Sequence, residues 1–383
     1  MQHIGRVNHS PANPRVQRLT PLTDALSLLS VMVGRCRTTE CSLTDAVGFV
    51  LGSDLRASAN LPTQAIAHAD GWAVSADAVL GASVYGTVPL IPPPPRVDAG
   101  DPMPIGDAVL MPDIVTFVAP GVAEAIGSAV SGEGVRRRGQ DIAAGVRILP
   151  EGTRLEPRHL GILKACGFET VPVRVPRIRL VVTSTAAAAH SDMVRAWLNA
   201  FGADVTEISP APGNRAELAL CFRRSADADL IISLGGTGQG RKDCTVAALG
   251  DVGSIALHGV ALRPGAGIAF GQVGTTPVML FPGEIDGLLA AFLVVAVEAL
   301  GLLAGIRPGV ASAPVRLTEK ASSTVGFHEL FLGIPDNDAI RPIPLAEAGF
   351  EALARATGWF LVPPASEGLA AGEIVHLRLF GAK

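Results

Sequence analysis

From Arg177 to Ile306 the chain alternates between two periodicities, and that alternation limits the folds open to it more than any other feature. "RIRLVVTS" is a β-branched run. "HSDMVRAWLNAFG" has helical spacing and stops at Gly202, and "ADVTEIS" is extended again. "NRAELALCFRRS" is helical, "ADLIISLGG" reads as a buried strand, and "KDCTVAALG" returns to helix before Gly250. Parallel strands need long crossovers, so strand and helix in turn imply a doubly wound, mostly parallel sheet with helices on both faces. Ligands of such sheets bind beyond the carboxyl ends of the strands. Three loops are thereby expected on one edge: Ser184–His190, Gly235–Asp243 and Phe281–Asp286.

The middle loop carries the strongest chemical signal. In "LIISLGGTGQGRKD" an apolar run breaks into Gly235, Gly236, Gly238 and Gly240, followed by Arg241, Lys242 and Asp243. Glycine lets backbone N–H groups approach an anion that a Cβ would hold off. The loop is not a Walker A motif, because Arg241 stands where lysine belongs and Lys242 where the magnesium-binding hydroxyl belongs, and it contains no G-x-G-x-x-G register. Two readings remain: an anion-binding loop whose Asp243 reaches a divalent cation, or a structural turn. In "LFPGEIDG", Glu284 and Asp286 are either paired carboxylates for magnesium or acids favoured at a helix start.

With 383 residues, 48% hydrophobic and 17% charged, the chain has material for several cores. A net charge of -4 supplies no field for polyanions, so nucleic acid is not expected as a partner, and the basic run Arg136–Arg138 is read as a solvated turn. Five cysteines without C-x-x-C spacing fit a reducing, cytoplasmic setting and support neither zinc nor disulfides. "GLLAAFLVVAVEALGLLAGI", Gly287 to Ile306, is long enough to span a bilayer but carries Glu298 near its middle; it is expected to be a buried helix of a non-membrane domain. Upstream, Thr20 is expected to cap a helix with Pro21 in its first position. The tail before Arg18 is expected to be disordered.

Several stretches together resemble one family over nearly the whole chain, from about Leu19 to Phe380. These are "SLTDAVGFVLGSDLRASANLP", "HADGWAV", "VRRRGQDIAAGVRILPEGTRLEPRHLGILKACGFETVPV", "LGGTGQGRKD", "LHGVALRPG" and "FPGEIDG". They look like the molybdopterin molybdenumtransferases, which include the C-terminal domain of gephyrin. The resemblance implies an α/β multidomain chain: residues 1–54 as tail and first part of an elongated split domain, 55–135 as a small inserted β domain, and 136–176 as the second part of the split domain. Residues 177–306 would be the molybdopterin-binding α/β domain and 307–383 a C-terminal β domain. It further implies a homodimer that binds molybdopterin or its adenylate, hydrolyses the adenylate with Mg2+, and places molybdate between the dithiolene sulfurs. A molybdoenzyme or another protein of the cofactor pathway would be a further partner.

Carried over residue by residue, the resemblance makes Asp70, Asp141 and Asp243 the catalytic candidates. Gly235, Gly236, Gly238, Gly240, Arg241, Lys242, Arg263, Pro282 and Gly283 become cofactor-binding candidates, and Asp243 with Glu284 the metal candidates. Arg263 stands at the first lysine of the family's Lys-Pro-Gly-Lys-Pro stretch, and Ala266 replaces the second. Where the family has Ser-Thr-Gly-Asp-Glu, this chain reads "STAAAA", so Ala186, Ala187 and Ala188 offer no charge; Ala65, Ile66 and Ala67 replace Asp-Asn-Ser. Two functions follow from retained and lost residues: a divergent molybdenumtransferase, or a non-catalytic binder of molybdopterin or a partner.

Overall fold

The computed structural model describes residues 16, 18–210, 213–307 and 311–380. The tail before Arg18 otherwise lies outside the described residues. The chain divides into two compact units. One comprises the described residues up to Glu40, then Gly48–Gly52 and the chain from Pro172 onward; the other comprises Cys41–Val47 and Ser53–Val171.

The first unit opens with helix α1, Leu22–Met32. The alternation then appears in order: β1 (Arg177–Val182), α2 (Ser191–Ala200), β2 (Asp204–Ile208), α3 (Arg215–Arg224), β3 (Leu230–Leu234) and α4 (Thr245–Val252). After these come β4 (Ser254–His258), β5 (Leu262–Arg263), β6 (Ala269–Val273), β7 (Thr276–Phe281) and the long helix α5 (Ile285–Ala304). The strands lie in the order β2-β1-β3-β7-β6-β4. The first four are mutually parallel, and β6 and β4 are added antiparallel at one side.

Period-2 alternation sorts the side chains of these strands between two cores. Ile178, Leu180, Val182, Leu230, Ile232, Leu234, Met279 and Phe281 join α1, α2 and α5 on one face. Val181, Ile231, Val278 and Leu280 join Leu218 and Phe222 of α3 and Val246 and Leu249 of α4 on the other. The sheet is thus covered on both faces, as its continuous apolar strands require.

Helix α5 belongs wholly to the first of these cores. Its most apolar 18 residues have a mean hydropathy of 2.4 and are 83% buried, because the helix meets the sheet, α1 and the C-terminal residues Leu330, Leu332 and Trp359 at once. A helix apolar all round needs such cover on every side. Its middle, Phe292–Ala296, is a π-helical segment, and the Phe292 ring there lies tilted against those of Trp197 at 4.9 Å and Phe201 at 6.4 Å. Truncating Phe292 to alanine would cost about 3–5 kcal/mol.

One capping expectation fails. Thr20 does not cap α1; Pro21 is the residue before the helix, with φ −52 and ψ 140, and Leu22 is its first helical residue. The reason is that Thr20 is taken into a parallel bridge with Val260, its N–H donating to the Gly259 carbonyl and its own carbonyl accepting from Ala261.

The C-terminal strands β8 (Ser312–Leu317), β9 (His328–Asp336), β10 (Ala339–Pro344), β11 (Gly358–Val362) and β12 (Ile374–Leu379) form a closed barrel. The pairings run β9-β10-β8-β12-β11 and back to β9. Closure pairs β9 with β11 over Glu329–Gly333 and with β10 over Phe331–Asp336, and β5 adds to its beginning, Arg263 opposite Glu329.

The second unit is built of short strands. Arg96–Val97, Gly71–Val74 and Ala108–Leu110 form one three-stranded sheet, and Val88–Leu90, Val122–Ala125 and Val115–Ala119 another. The prolines from Pro89 to Pro95 fall in an edge strand and the turn after it, where their missing N–H groups are tolerated. Helix Pro157–Ala165 opens with Glu156 and His159 in a reciprocal capping box.

Candidate functional site

The connection from β1 runs outward to β2, and the chain returns past β1 to β3, so the strand order reverses between β1 and β3. A crevice forms at such a point. Its first wall is the end of β1. The N–H and Oγ1 of Thr183 both donate to the Leu234 carbonyl, at 2.9 and 3.0 Å. Ser184 then caps the single turn Thr185–Ala188, its Oγ accepting from the Ala187 N–H at 3.1 Å.

The second wall is the glycine loop. Gly235 and Gly236 have φ of +96° and +68°, a backbone that favours glycine. Gly235 N donates to Phe281 O at 2.9 Å, and the Thr245 hydroxyl donates to Gly235 O at 2.9 Å. The space is as restrictive as the angles: a Cβ on Gly235 would stand 2.5 Å from Ser184 Oγ and 3.1 Å from Thr183 Oγ1, and one on Gly236 would overlap Thr245 Oγ1. The third wall is the turn after β7, where a Cβ on Gly283 would lie 3.0 Å from Ser184 Oγ, 3.2 Å from Gly235 Cα and 3.7 Å from the Ala187 methyl. Ser184, Gly235 and Gly283 therefore meet at one point, and the three loops expected on one edge are together there.

A fourth loop, Pro264–Gly267, joins them. A Cβ on Gly267 would come 3.2 Å from Thr237 Oγ1, and one on Gly287 would come 3.0 Å from Pro282 Cβ and 3.9 Å from Gly265 N. His258, at the end of β4, places a ring nitrogen 3.3 Å from the Thr237 carbonyl; burial pushes its pKa below the ordinary imidazole value, and that hydrogen bond opposes the shift. Sequence reasoning missed Thr183, Ser184, Thr245 and His258. The hydroxyls at the ends of β1 and of the glycine loop were the available signal, whereas His258 had none.

The charged candidates are arranged less simply. Gly238, Gly240, Arg241 and Lys242 are exposed along the loop. Asp243 turns back on that loop: its Oδ2 accepts from Gly240 N at 2.9 Å and lies where a Cβ on Gly238 would be 2.7 Å away. Glu284 is exposed at the N-cap of α5 and makes no side-chain capping bond. Asp286 accepts from Gly287 N and lines a cavity of about 160 Å³ with Leu345, Phe350 and Leu353. Arg263, beside the start of β9, lies 3.5 Å from Glu329 and donates to the Thr324 hydroxyl at 2.7 Å. Asp70 and Asp141 belong to the second unit, where Asp70 Oδ1 accepts from Ala99 N at 2.8 Å and Asp141 pairs with Arg136 at 3.2 Å.

Among the described residues no group of three or more His, Cys, Asp or Glu side chains could hold a metal ion. Magnesium needs less than that, since it commonly takes one or two carboxylates and completes its shell with phosphate oxygens and water. Asp243, with Oδ2 on Gly240 and Oδ1 left over, suits a cation carried in largely by a phosphate ligand and not a protein-built cage. The five cysteines are free thiols, and burial raises the pKa of each.

Comparison with known proteins agrees with this geometry. Residues 20–167 match the MoeA N-terminal region (domain I and II), and residues 179–301 match a probable molybdopterin binding domain. Molybdopterin molybdenumtransferase 2 of Mycobacterium tuberculosis is 29% identical over 90% of this chain and 96% of its own length. The molybdopterin molybdenumtransferase of Haemophilus influenzae is 24% identical over 88% and 93%. The solved structure of a molybdopterin biosynthesis MoeA protein from Pyrococcus horikosii superposes with a TM-score of 0.81 at 22% identity, covering 96% of this chain and all of the other; at that identity it speaks for the fold.

Proposed function

The chain belongs to the molybdopterin molybdenumtransferase family and acts in molybdenum cofactor biosynthesis, and from that premise we propose that it holds adenylylated molybdopterin in the crevice between β1 and β3 and inserts molybdate there. The observation that carries the reading is the meeting of Ser184, Gly235 and Gly283 at the point where the strand order reverses. Neither glycine there has room for a side chain, and the Ser184 hydroxyl lies between them, so an anion bound beside that point would meet backbone and this hydroxyl, with the exposed Arg241 and Lys242 further along the same loop.

Each part of the chain then has a task. The glycines from Gly235 to Gly240 admit the pyrophosphate, Arg241, Lys242 and Arg263 balance its charge, and Pro282 and Gly283 shape the floor. A bound magnesium ion would supply charge stabilisation at the phosphates, and Asp243 and Glu284 are the carboxylates available to it. Hydrolysis of the phosphoanhydride by water releases AMP and leaves molybdopterin with its own phosphate; its two dithiolene thiols then take up molybdate, their protons leaving with one molybdate oxygen as water. Asp70 and Asp141 act in this reading from a cleft completed in a homodimer. The reading also takes the chain to be cytoplasmic, organised in four domains, and to pass its product to a molybdoenzyme or another protein of the pathway.

A second reading, a binder without turnover, has its own observation. Where the family carries Asp and Glu, the turn after β1 has the buried Ala187 and the exposed Ala188, and Asp243 is already engaged by Gly240. Incubation with adenylylated molybdopterin, molybdate and magnesium separates the two. AMP release supports the transferase, retention of the nucleotide without AMP supports the binder, and failure to bind the nucleotide at all overturns both.

A further inference from the structure

Glu329 is a carboxylate in an unusual place. It lies in the apolar strand β9 with a side chain only 4% exposed, a position that is costly for a charge unless it is paired and hydrogen-bonded. Its Oε2 accepts from the Ser323 hydroxyl at 3.1 Å and from Thr324 N at 3.0 Å. Its Oε1 lies 3.5 Å from Arg263 Nε, and Arg263 Nη1 donates to Thr324 Oγ1 at 2.7 Å. The parallel register of β5 on β9 sets Arg263 directly opposite Glu329, which makes the pairing a property of the backbone.

One side of the Arg263 guanidinium is therefore fastened to the barrel, while the Arg263 side chain as a whole stays 45% exposed. Arg263 also opens the loop Pro264–Gly267, which touches Thr237 of the glycine loop and borders the turn at Pro282. A half-exposed guanidinium held this way has already lost much of the rotamer freedom that anion binding would otherwise remove.

We infer that Glu329 is a positioning residue: it holds Arg263 at the rim of the crevice so that the open edge of the guanidinium meets an oxyanion bound there. The inference rests on the proposed reading of the crevice as an anion site. Two effects of the carboxylate compete. It orients the arginine, which strengthens anion binding, and it partly neutralises the arginine, which weakens it. The distance of 3.5 Å and the single oxygen engaged make the neutralisation modest, whereas the bond to Thr324 depends on the carboxylate holding that segment in place.

The test is titration of the full chain with inorganic pyrophosphate, followed by calorimetry, for the parent, Glu329→Gln, Arg263→Ala and the double variant. Glu329→Gln should weaken binding about threefold to tenfold, the gain expected from preordering one long side chain. In the Arg263→Ala background the same change should have no effect, since a residue that acts only through Arg263 has nothing left to act on. Tighter binding by Glu329→Gln, equal weakening in both backgrounds, or unchanged affinity of Arg263→Ala would each overturn the inference and leave the crevice reading standing. Absence of pyrophosphate binding by the parent would overturn the crevice reading and this inference with it. Should Glu329→Gln not fold, Ser323→Ala, which removes one support of the carboxylate, takes its place with a smaller loss in the same direction and the same requirement for Arg263.

Discussion

The loops that follow β1 and β3 occupy equivalent places on one edge of one sheet, and they differ in what has been kept. After β3 the glycine loop presents small residues, two cations and a carboxylate. After β1 the one-turn helix Thr185–Ala188 keeps its serine cap and its contact with Gly283, yet offers methyl groups where charge could stand. Ala187 is fully buried and belongs to the packing, while Ala186 and Ala188 are exposed and belong to whatever chemistry the crevice performs. A shared backbone thus carries two separable roles. Shape is held by hydroxyls and glycines facing inward, and reactivity is decided by two or three outward positions that the fold does not constrain.

The largest effect should come from attacking the shared shape. Gly235→Ala combines a φ of +96° with a Cβ 2.5 Å from Ser184 Oγ, so both loops must move. A loss of about 3 kcal/mol is expected in denaturant unfolding, together with loss of nucleotide binding. A stable, binding-competent Gly235→Ala would mean that the two loops are not coupled. Next in size is Ala188→Glu, which tests whether the β1 loop lacks only a charge. Its exposure predicts a change in stability within about 0.5 kcal/mol, while AMP release should rise about a hundredfold, the scale of a restored charge-stabilising group. An unchanged rate would locate the deficit elsewhere, with Ala266 and Ala65–Ala67 as the remaining losses.

A smaller contrast separates structure from charge inside the glycine loop itself. Asp243→Ala removes the acceptor for Gly240 N and should cost about 1 kcal/mol, whereas Asp243→Asn keeps an acceptor and should not. Both should abolish the dependence of nucleotide affinity on magnesium, measured by titration with and without the ion. Persistence of that dependence in both variants would assign Asp243 to the turn alone. The smallest effect concerns pH. Burial lowers the pKa of His258 in the folded chain below its ordinary value of 6.5, so the unfolded chain binds the proton first as pH falls. The stabilisation is complete above about pH 6.5 and declines below it, down through the folded-state pKa. His258→Gln should flatten the acid limb of a stability profile without removing it, because burial shifts His328 in the same direction.

How far these features could be read beforehand depends on the range of the interactions behind them. The alternation from Arg177 to Leu249 is local, and each segment carries its own caps and breakers, so β1, β2 and β3 with their helices were legible. The antiparallel strands β4 and β6 were not, since nothing within "SIALH" or "AFGQV" states which neighbour it will meet. Barrel closure likewise rests on pairings such as Ser312 with Arg378, far apart in the chain. Among the site residues, glycines announced the loop because their requirement is conformational. Asp243 was legible as an acid but not in its bond to Gly240, and Glu329 was hidden because its partner Arg263 lies 66 positions away on another strand.

Helix α5 has a consequence for the birth of the protein as well as for its finished form. A chain leaving the ribosome exposes its segments in order, and a twenty-residue helix whose most apolar 18 residues have a mean hydropathy of 2.4 would be hazardous if it emerged first. Here all six strands of the sheet, Arg177 through Phe281, precede it, and so does α1. By the time Ile285–Ala304 is synthesised, one apolar wall for it already exists, and the barrel strands that complete its cover follow within the next eighty residues. Gene order here works as a folding schedule, and a circular permutant beginning at Ile285 would reverse it, sending out the most insoluble segment with nothing yet made to receive it.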